Sequence, residues 1–116
     1  GYYEWKPGKS VKSPYYFSSR SDSLLALAGI FRDSPGGARL VILTTRAPAP
    51  FSDVHDRMPV ILGAGCDTVY LREGSVTPYT DLVMHEVSPR VNDAGNEGPD
   101  LIVPARNRQA QMTLGW

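Results

Sequence analysis

The chain has 116 residues, 41% of them hydrophobic and 21% charged, a balance that suits one compact domain and argues against a disordered chain. Its net charge is zero, but residues 1–50 carry seven Lys/Arg against three acids while residues 51–116 carry five Arg against nine acids, so the first half alone, at +4, permits an anionic partner, and solubility accounts for the same surface Lys and Arg. A run of about 18 apolar residues is lacking, which excludes a spanning helix, and with Cys66 as its one cysteine the chain is expected in a reducing cytoplasm without an intrachain disulfide.

The chain opens on Gly1 rather than Met and enters an aromatic segment at once, so an N-terminal portion is expected upstream. Tyr2 to Trp5 is rich in strand formers. Pro7-Gly8-Lys9-Ser10 signals a loop, and Pro14 to Phe17 reads as a second strand, which predicts a hairpin with a long basic loop. Ser18 to Ser23 is turn-like. From Leu24 to Phe31 an apolar run leaves helix and strand in competition, and Gly29 within it, with Asp33-Ser34-Pro35-Gly36-Gly37 after it, favours strand. The clearest strand is Leu40 to Thr45.

After Pro48 and Pro50 a short helix is expected over Phe51 to His55, with Ser52 or Asp53 in its first turn. Met58 to Leu62 reads as a strand that Gly63-Ala64-Gly65 breaks. Thr68 to Arg72 is left open between strand and helix. Leu82 to Val87 is a further strand, Asn92 to Pro99 a dense turn region, and Leu101 to Pro104 closes the sheet or packs beneath it. The tail from Arg106 is weakly patterned. Many short strands at close spacing predict a single α+β domain over residues 1–116, with a mainly antiparallel, curved or barrel-like sheet and few short helices.

Two segments carry chemistry. Glu4 stands between Tyr3 and Trp5 and, in a strand, shares its face with Tyr2 and Lys6. If that face is buried, desolvation makes Glu4 a general acid; the competing reading is an exposed carboxylate paired with Lys6 or a cross-strand lysine. His55, at an element junction, suits proton transfer near neutrality, or else it is a structural histidine bonded to backbone. Arg57, two residues on and on the same face of an extended segment, is fitted to a phosphate, or to an ion pair with Asp53 or Asp56. His85 reads as structural and Cys66 as a bystander beside Asp67. Metal-ligand spacing, phosphate loops and nucleophile elbows are all lacking, so neither a metal nor a cofactor is expected.

In order along the chain come Gly1-Tyr2-Tyr3-Glu4-Trp5, Pro14-Tyr15-Tyr16-Phe17, Ala26 to Phe31, Ile42-Leu43-Thr44-Thr45, His55-Asp56-Arg57-Met58-Pro59 with Val60-Ile61-Leu62, Val87 to Asn92, and Asn96-Glu97-Gly98-Pro99. This series, running to about residue 104, resembles the SOS response-associated peptidase (SRAP) family. The resemblance implies recognition of abasic sites in single-stranded DNA. It implies a covalent thiazolidine between an N-terminal cysteine and the ring-opened sugar, and autoproteolytic removal of the initiator Met. By the same resemblance Glu4 and His55 are catalytic, transferring protons and assisting ring opening, and Arg57, Thr44 and Trp5 are DNA-binding.

Two departures qualify it. The family's cysteine precedes the block at which this chain begins, and Cys66 has no matching position. The stretch from Leu62 to Val87 is short and lacks the Trp-containing helix usual there. The chain therefore reads as the C-terminal part of such a domain, monomeric, with the N-terminal half of the domain as a further partner and, in a bacterium, a place at the nucleoid. A non-catalytic module for single-stranded nucleic acid is the second reading, and a small hydrolase acting through Glu4 and His55 the third.

Overall fold

The computed structural model describes residues 1–77 and 79–105; the tail from Arg106 falls outside them. The first strands, β1 (Tyr2–Lys6) and β2 (Ser13–Ser19), form the expected hairpin, with Glu4 opposite Tyr15 and Trp5 opposite Pro14. On the far side of β2 lies β9 (Leu82–Glu86), antiparallel, which makes a three-stranded sheet in the order β1-β2-β9. Aromatic pairs hold β1 to β2 across the strands. Tyr2 stacks on Phe17 with ring centroids 4.9 Å apart, and Tyr3 leans on Tyr16 at 5.3 Å, contacts that add to the area these rings bury.

The middle of the chain builds three two-stranded ribbons, each antiparallel. These are β3 (Ala26–Leu27) with β8 (Ile61–Leu62), β4 (Gly29–Arg32) with β5 (Arg39–Ile42), and β6 (Thr44–Arg46) with β7 (Arg57–Pro59). They meet at one point. The Ala28 N–H donates to Val60 O, Val60 N–H to Leu43 O, and Leu43 N–H to Ala28 O, each at 2.8–2.9 Å. Ala28 and Val60 are buried there at 1% and 8% exposure, so the junction's backbone groups have no water to turn to and must satisfy one another. The α+β, mainly antiparallel architecture is thus as expected, with the pairing divided among small sheets.

The undecided stretch around Thr68 to Arg72 is helical: α1 runs Cys66–Glu73, and glycines in left-handed conformation bound it, Gly65 at φ 76° and Gly74 at φ 69°. None of its side chains is buried, and Tyr70 Oη–H donates to Gly29 O at 2.9 Å. It occupies the shortened stretch after Leu62 and contains no Trp. The expected helix after Pro50 is a single 3-10 turn, Phe51–Asp53, and further 3-10 turns cover Pro89–Asn92 and Pro99–Ile102. Pro104 bridges Val87, so the last described segment packs against the sheet.

The principal core gathers Phe17, Phe51, Val54, Met58, Ile61 and Leu82, side chains worth roughly 1.5–3 kcal/mol each when buried. The β4–β5 hairpin departs from this economy. Ile30, Phe31, Leu40 and Val41 are 57%, 69%, 67% and 60% exposed, although the sequence there is as apolar as any core strand.

Candidate functional site

Two anchors bring distant segments together. Phe51 and Val54 are buried in the principal core at 6% and 2% exposure, with Phe51 against Phe17 at 6.0 Å between centroids. His55 follows directly and is carried out of the core to the surface. On the other side Phe17 stacks on Tyr2, which sets β1 and therefore Glu4. One phenylalanine thus underlies both acid–base candidates.

Glu4, Trp5, Val11, Lys12, His55 and Asn92 line a single open cavity of about 460 Å³. Three of the residues expected from the sequence meet here: Glu4, Trp5 and His55. Lys12 and Asn92 join them without having been singled out. The one signal for Lys12 was the basic loop between β1 and β2; for Asn92 there was only its place at the end of the Val87 to Asn92 block. The loop that carries Lys12 is tightly folded, because a Cβ on Gly8 would lie 2.2 Å from Val11 O, a distance open only to glycine.

Glu4 is half-buried and makes no ion pair among the described residues, so neither the sealed carboxylate nor the Lys6 pair describes it. Its charge is felt by Tyr2, whose buried hydroxyl has no hydrogen-bond partner among the described residues. Burial first, and the Glu4 carboxylate second, push the Tyr2 pKa up to about 12. Trp5 Nε1–H donates to Asn92 Oδ1 at 2.6 Å, which fixes the indole on the cavity wall.

The His55 ring is held by the main chain of Arg57. Its Nδ1 lies 3.1 Å from the Arg57 N–H and 3.0 Å from Arg57 O, with Asp56 Oδ1 at 3.3 Å. With its proton on Nδ1 the ring donates to the Arg57 carbonyl beside Asp56, and Nε2 is the nitrogen left to take a proton from the cavity and return it.

Arg57 and Thr44 lie on the adjoining β6–β7 ribbon rather than in the cavity wall. The Arg57 Nη2–H donates to Thr44 O at 2.8 Å and to Thr44 Oγ1 at 3.0 Å, and Nε–H reaches Oγ1 at 3.3 Å. Among the described residues it pairs with neither Asp53 nor Asp56, the ion-pair alternative. His85, read from sequence as structural, has its Nε2 2.7 Å from Ile102 O. Cys66 is a free thiol at the start of α1 and is not among the residues that line this cavity. Among the described residues no group of three or more His, Cys, Asp or Glu is arranged to hold a metal, and no helix is long and apolar enough to cross a membrane.

Comparison with known proteins places this geometry in context. The family described as SOS response associated peptidase (SRAP) matches residues 1–94. The chain is 34% identical over 119 residues to the abasic site processing protein YoqW of Bacillus subtilis, covering 87% of the chain and 53% of that protein. It is 36% identical over 117 residues to the abasic site processing protein HMCES of Mus musculus, covering 80% of the chain and 33% of that protein. A crystal structure of a protein from Bacteroides thetaiotaomicron superposes with a TM-score of 0.73 at 21% identity, over 90% of the chain and 53% of that one, a likeness of fold. The chain therefore spans about half the length of the Bacillus relative and a third of the mouse one.

Proposed function

The chain belongs to the SOS response-associated peptidase family, and on that premise we propose that it carries the lesion pocket of an abasic-site processing domain acting on single-stranded DNA in the DNA-damage response. The observation that carries the reading is the shared cavity of Glu4, Trp5 and His55. An abasic sugar has no base to fill a pocket, and in its ring-opened form it presents an aldehyde. Opening the sugar requires a proton delivered to the ring oxygen and one removed from the C1′ hydroxyl. Glu4 and His55 are the groups in the cavity that perform such transfers, while Trp5 offers a flat apolar wall for a neighbouring base and Arg57, steadied by Thr44, meets a backbone phosphate.

The covalent step belongs to the complete domain. There the family's N-terminal cysteine adds its thiol to the aldehyde, its amine condenses with loss of water, and a thiazolidine results. Cys66 does not serve in that role. The part of the family domain that this chain does not span is the second partner; with that segment in place the domain acts as a monomer, in the cytoplasm and at the nucleoid in a bacterium.

The test is fluorescence anisotropy with a single-stranded oligonucleotide carrying one abasic site, against its intact counterpart, followed by a denaturing gel. The expected result is tighter binding of the abasic strand, weakened by Glu4→Gln or His55→Ala, with no band surviving denaturation. Equal affinity for both strands overturns the abasic reading and leaves a general single-strand binder. A stable crosslink from these residues alone overturns the assignment of the nucleophile to the family's N-terminal cysteine.

A further inference from the structure

The β6–β7 register sets Arg46 directly opposite Arg57. The flanking bonds, Val60 N–H to Leu43 O and Ala47 N–H to Asp56 O, make their position a non-hydrogen-bonded pair by the alternation of an antiparallel ladder. Facing side chains approach most closely at such pairs, and like charges placed there oppose the pairing of the strands. Both arginines are exposed, and neither forms an ion pair among the described residues. Arg57 turns its guanidinium along the ribbon to Thr44. His55, two residues before Arg57, has its ring held by the Arg57 main chain and lines the Glu4 cavity.

We propose that Arg46 and Arg57 form a two-guanidinium clamp for a phosphodiester group of a DNA strand, which positions the adjoining sugar at the His55 end of the cavity. Two forks converging on one phosphate convert a mutually repelling pair into a charge-assisted, many-toothed contact, and the repulsion in the free protein becomes part of the drive to bind. The Arg57 half of this clamp rests on the proposed function; Arg46 is the new member, supplied by the register alone.

The test compares Arg46→Ala, Arg46→Lys and, as a control of equal charge, Arg39→Ala on the β4–β5 hairpin. Affinity is measured for abasic and intact single strands at several salt concentrations, and melting temperature without DNA. Removing one phosphate contact should lower the slope of log K against log salt by about 0.7. The Arg46→Ala loss should be the same for both strands, since a phosphate carries no base information. The lysine variant should keep most of the slope but not all of the affinity. The free Arg46→Ala protein should melt no lower than the parent, because it has shed a repulsion.

An unchanged salt slope in Arg46→Ala overturns the clamp, as does an equal loss from Arg39→Ala, and so does failure of the parent to bind either strand. A parent that binds both strands alike, with a lowered slope in Arg46→Ala, supports the clamp while overturning the abasic reading. A parent that prefers the abasic strand, with an unchanged slope in Arg46→Ala, does the reverse.

Discussion

The Trp5 indole N–H donates to Asn92 Oδ1 at 2.6 Å, joining residues 87 apart in sequence. The bond ties the edge strand of the sheet to the 3-10 turn Pro89–Asn92, and that turn is itself braced. The Ser88 hydroxyl accepts from the Arg90 N–H, Asn96 Nδ2–H donates to Arg90 O at 2.8 Å, and Arg90 pairs with Asp100. The indole is therefore set by a stretch of chain that makes no direct contribution to proton transfer.

Asn92→Ala should free the indole while leaving the fold intact, at a cost of about 1 kcal/mol for one lost hydrogen bond. With Trp116→Phe as background, Trp5 is the sole indole. Its emission should shift to the red and its anisotropy fall. Affinity for single-stranded DNA should fall with it, since a mobile ring makes a poorer stacking platform. An unchanged spectrum would show that Asn92 does not hold the ring.

Thr44 is expected to act through Arg57. Thr44→Val removes the Oγ1 acceptor and leaves Thr44 O, so the guanidinium keeps one of its two partners. Single-strand affinity should drop roughly three- to tenfold, in line with the partial loss of a charge-assisted bond, and Thr44→Ser should restore it. Equal affinity in Thr44→Val and the parent would separate Thr44 from phosphate binding.

Tyr2 gives a pH signature. Its folded pKa, about 12, lies above that of an unfolded tyrosine, so the folded state holds the proton more tightly. That contribution is fully present below about pH 10 and is lost as the pH rises toward 12. Tyr2→Phe should abolish this part of the alkaline decline, seen as a smaller difference in melting temperature between pH 8 and pH 11. At neutral pH the variant should be as stable as the parent or more so, because the buried hydroxyl has no hydrogen-bond partner among the described residues and its removal relieves a desolvation cost.

Phe17 couples the two halves of the site. Phe17→Ala should cost about 3–5 kcal/mol, the usual range for emptying a buried aromatic position, and in a domain of this size that is enough to unfold much of the population. Phe17→Leu should retain the fold and lose abasic-strand preference, because both Tyr2 and Phe51 lean on the ring. Retention of that preference in a folded Phe17→Leu protein would argue that Glu4 and His55 are positioned independently.

Much of this was legible before any coordinates. The β1–β2 hairpin, the strands at Arg39–Ile42 and Leu82–Glu86, and the turn region after Asn92 follow from β-branched and aromatic runs broken by Gly, Pro and Asn. Glu4 and His55 stand out by their neighbours, Trp5 by the family resemblance, and the three share one cavity. Thr68 to Arg72 is undecided by sequence because the helix that contains it buries no side chain and so imposes no apolar stripe on the sequence. Leu40, Val41 and Ile42 read as core and are exposed at 67%, 60% and 40%, since apolarity records that a residue is to be covered and is silent on what covers it.

The sequence by itself determined the class of fold, the family and the presence of a carboxylate, an imidazole and an indole in its two informative blocks, because local propensity and short motifs are properties of neighbours along the chain. The tertiary structure alone decided that Trp5 rests on Asn92, that Lys12 enters the cavity, that Arg57 turns to Thr44 and that Arg46 faces it. Those relations depend on strand register and on packing around Phe17, and a shift of one residue in the β6–β7 pairing would carry Arg46 to the opposite face.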